Sequence, residues 1–204
     1  MASKVVTVPN ILTVVRMALT PVFVGALYYQ RFGWGLAIFV GAGVTDGLDG
    51  MLARRFDQKS QLGTILDPIA DKLLLVTSFI TLSMPSIMAP EALVQPHPRH
   101  LPVPFWVTAA VISRDVFIIV GAATINVVTG FRGFKPSWLG KANTTVQIVS
   151  VVLVLIAASF PPLRGYLPTV YTTVFSFAVV SGIHYVFWTS KLLNEDRQQR
   201  ESAG

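Results

Sequence analysis

Residues 46–71 read DGLDGMLARRFDQKSQLGTILDPIAD, and this stretch decides the fold. Asp46, Asp49, Asp67 and Asp71 stand in one frame with Gly50, Ala53, Arg54 and Gly63: Asp-x2-Asp-Gly-x2-Ala-Arg-x8-Gly-x3-Asp-x3-Asp. The chain on either side is apolar. An acid in or beside a lipid-soluble helix is costly, so it normally faces a polar cavity and has a job. Residues three, four and seven apart share a helix face. Asp46, Asp49, Gly50 and Ala53 therefore form one stripe, and Gly63, Asp67 and Asp71 another, with the turn around Asp57 to Gln61 folding the stripes together. Four carboxylates so close would repel and take up protons unless cations neutralised them. Two divalent ions about 3.5–4 Å apart would do so, and would form a clamp for a phosphoryl centre. Gly50, Ala53 and Gly63 leave room for a ligand or a close backbone, and Arg54 offers a forked donor suited to phosphate oxygens. The plainer alternative is a set of interfacial salt bridges to Arg54, Arg55, Lys59 and Lys72. Asp57 with Lys59 is read as such a pair.

Composition supports a membrane setting. Hydrophobic residues make up 52% of the 204 and charged residues 13%, and the mean hydropathy is +0.61, outside the usual range of soluble domains. Cysteine is absent, which excludes a disulfide framework, a thiolate nucleophile and a zinc–thiolate site. A metal here must rest on oxygen ligands, which suits Mg2+, Mn2+ or Ca2+. The net charge of +6 is scattered over short loops, so an anionic bilayer surface is a better partner than nucleic acid. Lys4 precedes an apolar run, but Arg16 interrupts it and no small-residue cleavage site follows. Residues 11–30 thus read as a retained span rather than a secretion signal. The lack of an Arg-rich, Ser-rich leader argues against an organelle-imported precursor.

A window of about 20 residues crosses the hydrocarbon. It predicts six spans, at 11–30, 34–54, 62–83, 103–127, 139–159 and 168–191, in one membrane-embedded catalytic domain over 1–204. Pro85, Pro90, Pro96, Pro98 and Pro102 mark 84–102 as an extended loop. With the N-terminus inside, eleven Lys and Arg fall at the inner face (Lys4, Arg54, Arg55, Lys59, Lys72, Arg132, Lys135, Lys141, Lys191, Arg197, Arg200) and three outside (Arg31, Arg99, Arg164). That bias puts both termini and the acidic frame in the cytoplasm, and the expected location is the bacterial cytoplasmic membrane.

The frame resembles the signature of the CDP-alcohol phosphotransferase family, with every fixed position matched. The resemblance extends to Pro9-Asn10-x-Leu12-Thr13-x2-Arg16, Ser113-Arg114-Asp115 and Gly140-Lys141-x-Asn143-Thr144. It implies an all-α, six-helix membrane enzyme, usually a homodimer, that moves a phosphatidyl group from CDP-diacylglycerol to an alcohol and releases CMP. It implies that Asp46, Asp49, Asp67 and Asp71 bind two divalent cations, Mg2+ or Mn2+, and that Asp71 is also the general base. Asp46, Gly50, Ala53, Arg54 and Gly63 match the positions around the CDP moiety.

The acceptor alcohol turns on the outer segments. Relatives that use glycerol 3-phosphate typically read S-R-E-x5-L-R and G-K-x-K-T. This chain has Ser113-Arg114-Asp115 with Ala122 at the last arginine position, and Asn143 at the second lysine. A dianionic phosphate monoester wants charge-assisted donors, and two cations are gone. The pattern resembles the eukaryotic-type cardiolipin synthase branch, which implies phosphatidylglycerol as acceptor; the phosphatidylglycerophosphate synthase branch is the second reading. Arg114, Lys141 and Asn143 are the candidate acceptor-binding residues. For Arg114 a buried pair with Asp115 or another acid stands beside that role, and Arg16 invites the same two readings or snorkelling. A divalent-cation transporter, the remote alternative, would want its acids at the midplane with a route outward. His184 reads as a packing residue, His97 and His100 as too distant to serve the acids. Trp34, Trp106, Trp138 and Trp188 read as interfacial anchors, 131–138 as a segment along the inner leaflet, and the polar tail after Lys191 as a frayed helix end.

Overall fold

The structure, a computed structural model, describes residues 8–56, 61–88, 101–129 and 137–202; at residues 46–56, 61–69 and 71 it describes the helical backbone. These residues are almost entirely helical and include no strand. In order come α1 (Val8–Tyr28), α2 (Phe32–Phe56), α3 (Gln61–Leu82), the short α4 (Pro85–Met88), α5 (Phe105–Thr129), α6 (Trp138–Ser159), a 3-10 turn (Pro161–Tyr166) and α7 (Leu167–Ser202). A helix matches each of the six expected spans. Two details differ. The proline-rich connection begins with one helical turn, because Pro85 occupies the first helical position, where a missing N–H costs nothing. The tail continues as helix to Ser202 rather than fraying at Lys191. His97, His100, the Asp57–Lys59 pair and most of the 131–138 segment lie outside the described residues.

Among the described residues three stretches are long and apolar enough to cross a bilayer: Phe105–Val127, Trp138–Ser159 and Pro161–Lys191. Shorter apolar runs occupy Leu12–Tyr28, Phe32–Thr45 and Lys72–Leu82. On α5 the outward residues are Val116, Phe117, Ile119, Val120 and Val127, all more than half exposed. A helix apolar on its open face suits hydrocarbon, not water. The protein is a membrane protein.

By packing, the chain forms two compact units, Met1–Pro104 with Val151–Leu167, and Phe105–Ser150 with Pro168–Gly204. In the first, α1 packs against both α2 and α3. Phe23 and Leu27 of α1 are fully buried, and Phe23 meets Phe39 of α2 at 6.0 Å. Gly35 makes that approach possible: a Cβ there would lie 2.7 Å from Leu27 Cδ2. The turn from α1 to α2 is a Schellman closure, with Gln30 N–H donating to Leu27 C=O at 2.9 Å and Arg31 N–H to Ala26 C=O at 2.8 Å. Gln30 takes the left-handed position (φ 58°) usually given to glycine, and its side-chain amide donates to the Ile87 carbonyl. Val103 N–H donates to Leu82 C=O at 2.9 Å, tying the segment before α5 to the end of α3. Arg164 donates to the carbonyls of Ala157 and Ala158 at 3.3 Å each, satisfying the end of α6 where a cation also complements the helix dipole.

Candidate functional site

The acidic frame lies on two helices of the first unit. The second half of α2 carries Asp46, Asp49, Gly50, Ala53 and Arg54; the first half of α3 carries Gly63, Asp67 and Asp71. Four residues join Phe56 to Gln61, which keeps the helix ends within about 18 Å of each other. Counted from that shared turn at 1.5 Å per residue, Asp46 and Asp71 each stand at about 15 Å, and Asp49 and Asp67 at about 10 Å. The spacing thus sets the acids in two matched tiers along two helices that both pack on α1. Thr45, one residue before the frame, donates its hydroxyl to Ala42 C=O at 2.8 Å and Gly41 C=O at 3.1 Å. Its polar group is satisfied within α2. Ala42, one turn before Asp46, and Ala70, between Asp67 and Asp71, are fully buried. As a donor set, four carboxylates in a chain without cysteine fit hard, oxygen-seeking divalent cations.

Also in the first unit, Arg16 is 2% exposed and lies on a stripe of α1 with buried Thr13 and Thr20. Thr20 donates its hydroxyl to the Arg16 carbonyl at 3.3 Å. Burial of the guanidinium excludes snorkelling for Arg16.

The second unit carries its own polar cluster. Arg114 and Asp115, adjacent on α5, form an ion pair with Nη1 to Oδ1 at 2.9 Å and side chains 10% and 8% exposed. Arg114 also donates through Nη2 to Ser181 Oγ of α7. Two glycines lie against it. A Cβ on Gly140 would lie 3.5 Å from Arg114 Nη2, and a Cβ on Gly182 3.8 Å from its Cγ. Arg114 is mid-helix in α5, yet it meets α6 at that helix's first turn. There Ser137 accepts the Gly140 N–H at 3.1 Å as an N-cap. A guanidinium beside a helix N-terminus, itself partly positive, makes a local field that favours anions.

Of the three candidate acceptor residues, the structure brings Arg114 to Gly140, buries Asn143 completely and leaves Lys141 exposed. At 100° per residue Asn143 and Lys141 point to nearly opposite sides of α6. Gln147, one turn beyond Asn143, is also fully buried, and neither carboxamide has a hydrogen-bond partner among the described residues. The spacing of Asn143 and Gln147 was visible in the sequence as one stripe. Ser181 and Gly182 left no such signal, because their pairing with Arg114 joins distant segments. His184 stacks on Trp188, with ring centroids 6.1 Å apart and 18° between planes. Trp34, Trp106 and Trp138 sit exposed at helix starts.

Comparison with known proteins adds to this geometry. The sequence profile for CDP-alcohol phosphatidyltransferases matches residues 6–187. A probable phosphatidylglycerophosphate synthase of Mycobacterium tuberculosis is 32% identical over 193 residues, covering 90% of this chain and 82% of that protein. A putative cardiolipin synthase of the same organism is 34% identical over 160 residues, covering 78% and 69%. The CMP-forming cardiolipin synthase of Rattus norvegicus is 34% identical over 182 residues, covering 81% and 54%. The relatives thus differ in the phospholipid that their names give as product.

Proposed function

We propose that this chain, which belongs to the CDP-alcohol phosphatidyltransferase family, transfers the phosphatidyl group of CDP-diacylglycerol to phosphatidylglycerol, forming cardiolipin and CMP. The observation that carries the chemistry is the eight-position frame on α2 and α3, with its aspartates in two matched tiers. Asp46, Asp49, Asp67 and Asp71 would hold two divalent cations, Mg2+ or Mn2+, which supply charge stabilisation for the diphosphate of the donor and the departing CMP. Gly50, Ala53, Gly63 and Arg54 form the nucleotide side, the small residues by leaving room and Arg54 by donating to a phosphate oxygen. Asp71 accepts the proton of the acceptor hydroxyl as its oxygen attacks the phosphorus nearer the lipid. The P–O bond to CMP breaks in the same displacement, and the electron pair leaves with CMP. The matched frame makes an ion pathway a poorer account than an enzyme.

The acceptor assignment rests on two features. Ala122 and Asn143 stand where a phosphate-monoester acceptor would find cations. The remaining guanidinium, Arg114, is half committed to Asp115, leaving donor capacity better matched to a monoanionic phosphodiester than to a dianion. Arg114, Lys141 and Asn143 are proposed for that acceptor, with Lys141 reaching from the exposed side of the same helical turn. The working form is a single catalytic domain, paired as a homodimer in the bacterial cytoplasmic membrane with both termini inside. A test offers the purified protein CDP-diacylglycerol with Mg2+ or Mn2+, and phosphatidylglycerol, glycerol 3-phosphate, inositol phosphate or serine in turn. Cardiolipin by mass spectrometry, CMP release, and loss of both with EDTA are expected. Preference for glycerol 3-phosphate would overturn the acceptor, and CMP release indifferent to EDTA would overturn the metal assignment.

A further inference from the structure

Ser181, on α7, is fully buried. A serine or threonine inside a helix often turns its hydroxyl back to a carbonyl of the preceding turn. Thr172 and Thr173 of the same helix do so, donating to Pro168 C=O at 2.6 Å and to Thr169 C=O at 2.8 Å. Among the described residues Ser181 does not: its oxygen accepts instead from Nη2 of Arg114 on α5.

Arg114 reaches that oxygen along a defined course. Its Cγ lies 3.8 Å from where a Cβ of Gly182 would stand, so the stem runs beside α7 and the head meets Ser181. The other terminal nitrogen, Nη1, donates to Asp115 at 2.9 Å. The two partners do different things. Asp115 is the next residue on α5 and supplies the opposite charge, but a contact on one nitrogen lets the planar guanidinium pivot about it. Ser181 carries no charge and comes from another helix. Its contact on the second nitrogen fixes an edge of the plane, with Nη2 3.5 Å from where a Cβ of Gly140 would stand in the first turn of α6. The guanidinium keeps further N–H groups beyond these two bonds, among them Nε, which has no partner among the described residues. A planar fork recognises a phosphate group well only when its plane is held.

We propose that Ser181 is a positioning residue of the acceptor site: its oxygen sets the plane of the Arg114 guanidinium that receives the acceptor's phosphodiester, while Asp115 balances the charge. The inference deepens the proposed function and rests on the assignment of Arg114 to the acceptor. A serine that only satisfied a buried donor would, when removed, lower stability without a selective effect on one substrate.

The test uses full-length protein in nanodiscs, with cardiolipin formation from CDP-diacylglycerol and phosphatidylglycerol followed in Mg2+ or Mn2+. The variants are Ser181→Ala, Arg114→Lys, the two combined, and Ser176→Ala as a control at an exposed position of α7. Ser181→Ala should raise KM for phosphatidylglycerol about tenfold, the scale of one hydrogen bond to a charged group, with kcat and KM for CDP-diacylglycerol within about twofold. Arg114→Lys keeps a charge beside Asp115 and loses the fork, so it should raise the same KM at least as far. Adding Ser181→Ala to it should then change KM less than about twofold, and Ser176→Ala should change nothing. An unaltered KM in Ser181→Ala, beside a tenfold rise in Arg114→Lys, would sink the positioning role and leave the acceptor reading standing. Equal rises for both lipids, or a fall in kcat that tracks a lowered thermal melt, would mark Ser181 as structural and also overturn it. Arg114→Lys without effect on KM would remove Arg114 from the acceptor site, and phosphatidylglycerophosphate as product would overturn the functional reading; the proposal falls with either.

Discussion

Removing Asp115 should cost far more than removing a surface acid, and the structure sets the scale. Its carboxylate lies 2.9 Å from Arg114 Nη1, and the two side chains are 8% and 10% exposed. Asp115 makes a further interaction besides. Deleting one member of a buried pair leaves the other charge without compensation, at about 3–5 kcal/mol. Among the described residues Arg114 would keep only its bond to Ser181, and its Nε has no partner there. Asp115→Leu is therefore expected to lower stability by about 3–5 kcal/mol. For a chain of this length that is a fall in Tm of roughly 10 °C. Arg114→Leu with Asp115→Leu replaces both charges by apolar groups and should recover most of the loss, because neither ion is then stranded. The assay is a double-mutant cycle on purified protein in one detergent, read by circular dichroism during thermal unfolding, without substrate, so that the acceptor role of Arg114 does not enter. A coupling of about 2 kcal/mol or more is expected. Additive single effects, with coupling under about 0.5 kcal/mol, would show that the pair is screened as surface pairs are, and the argument from burial would fail.

Three further outcomes are expected. Asp67→Asn and Asp71→Asn should each abolish CMP release while leaving the thermal melt within a few degrees; turnover retained in both variants would refute the metal-site assignment. Gly35→Ala places a Cβ 2.7 Å from Leu27 Cδ2 and should cost about 1–3 kcal/mol by overpacking, with Leu27→Ala in the same chain recovering part of it; an unchanged melt would disprove the close approach of α1 and α2. Gln147→Leu removes two buried polar atoms without partners among the described residues and should leave stability unchanged or raise it by about 1–3 kcal/mol. A loss above about 1 kcal/mol would reveal a hydrogen bond that the orphaned carboxamide does not show.

The sequence alone determined the helical class, the approximate limits of the spans and the positions of the acids. Hydrocarbon admits only self-satisfied backbone, so a run of apolar residues near Phe105 or Trp138 has essentially one solution, the helix. The frame was legible because its spacing is local: positions 46, 49, 67 and 71 sit ten residues and fewer from one turn, and helix periodicity fixes their tiers. Arg114 was not legible in this way. The sequence left open whether it paired with Asp115 or served the acceptor, and it placed the residue deep in a span. Folding moved it next to the first turn of α6, against Gly140 and Gly182, and gave it Ser181 from a helix far away in the chain. The burial of Arg16 and the orphaned amides of Asn143 and Gln147 likewise appear only in three dimensions. Each depends on which face of a helix meets which neighbour, and in a helix apolar on every side the sequence carries little record of that choice.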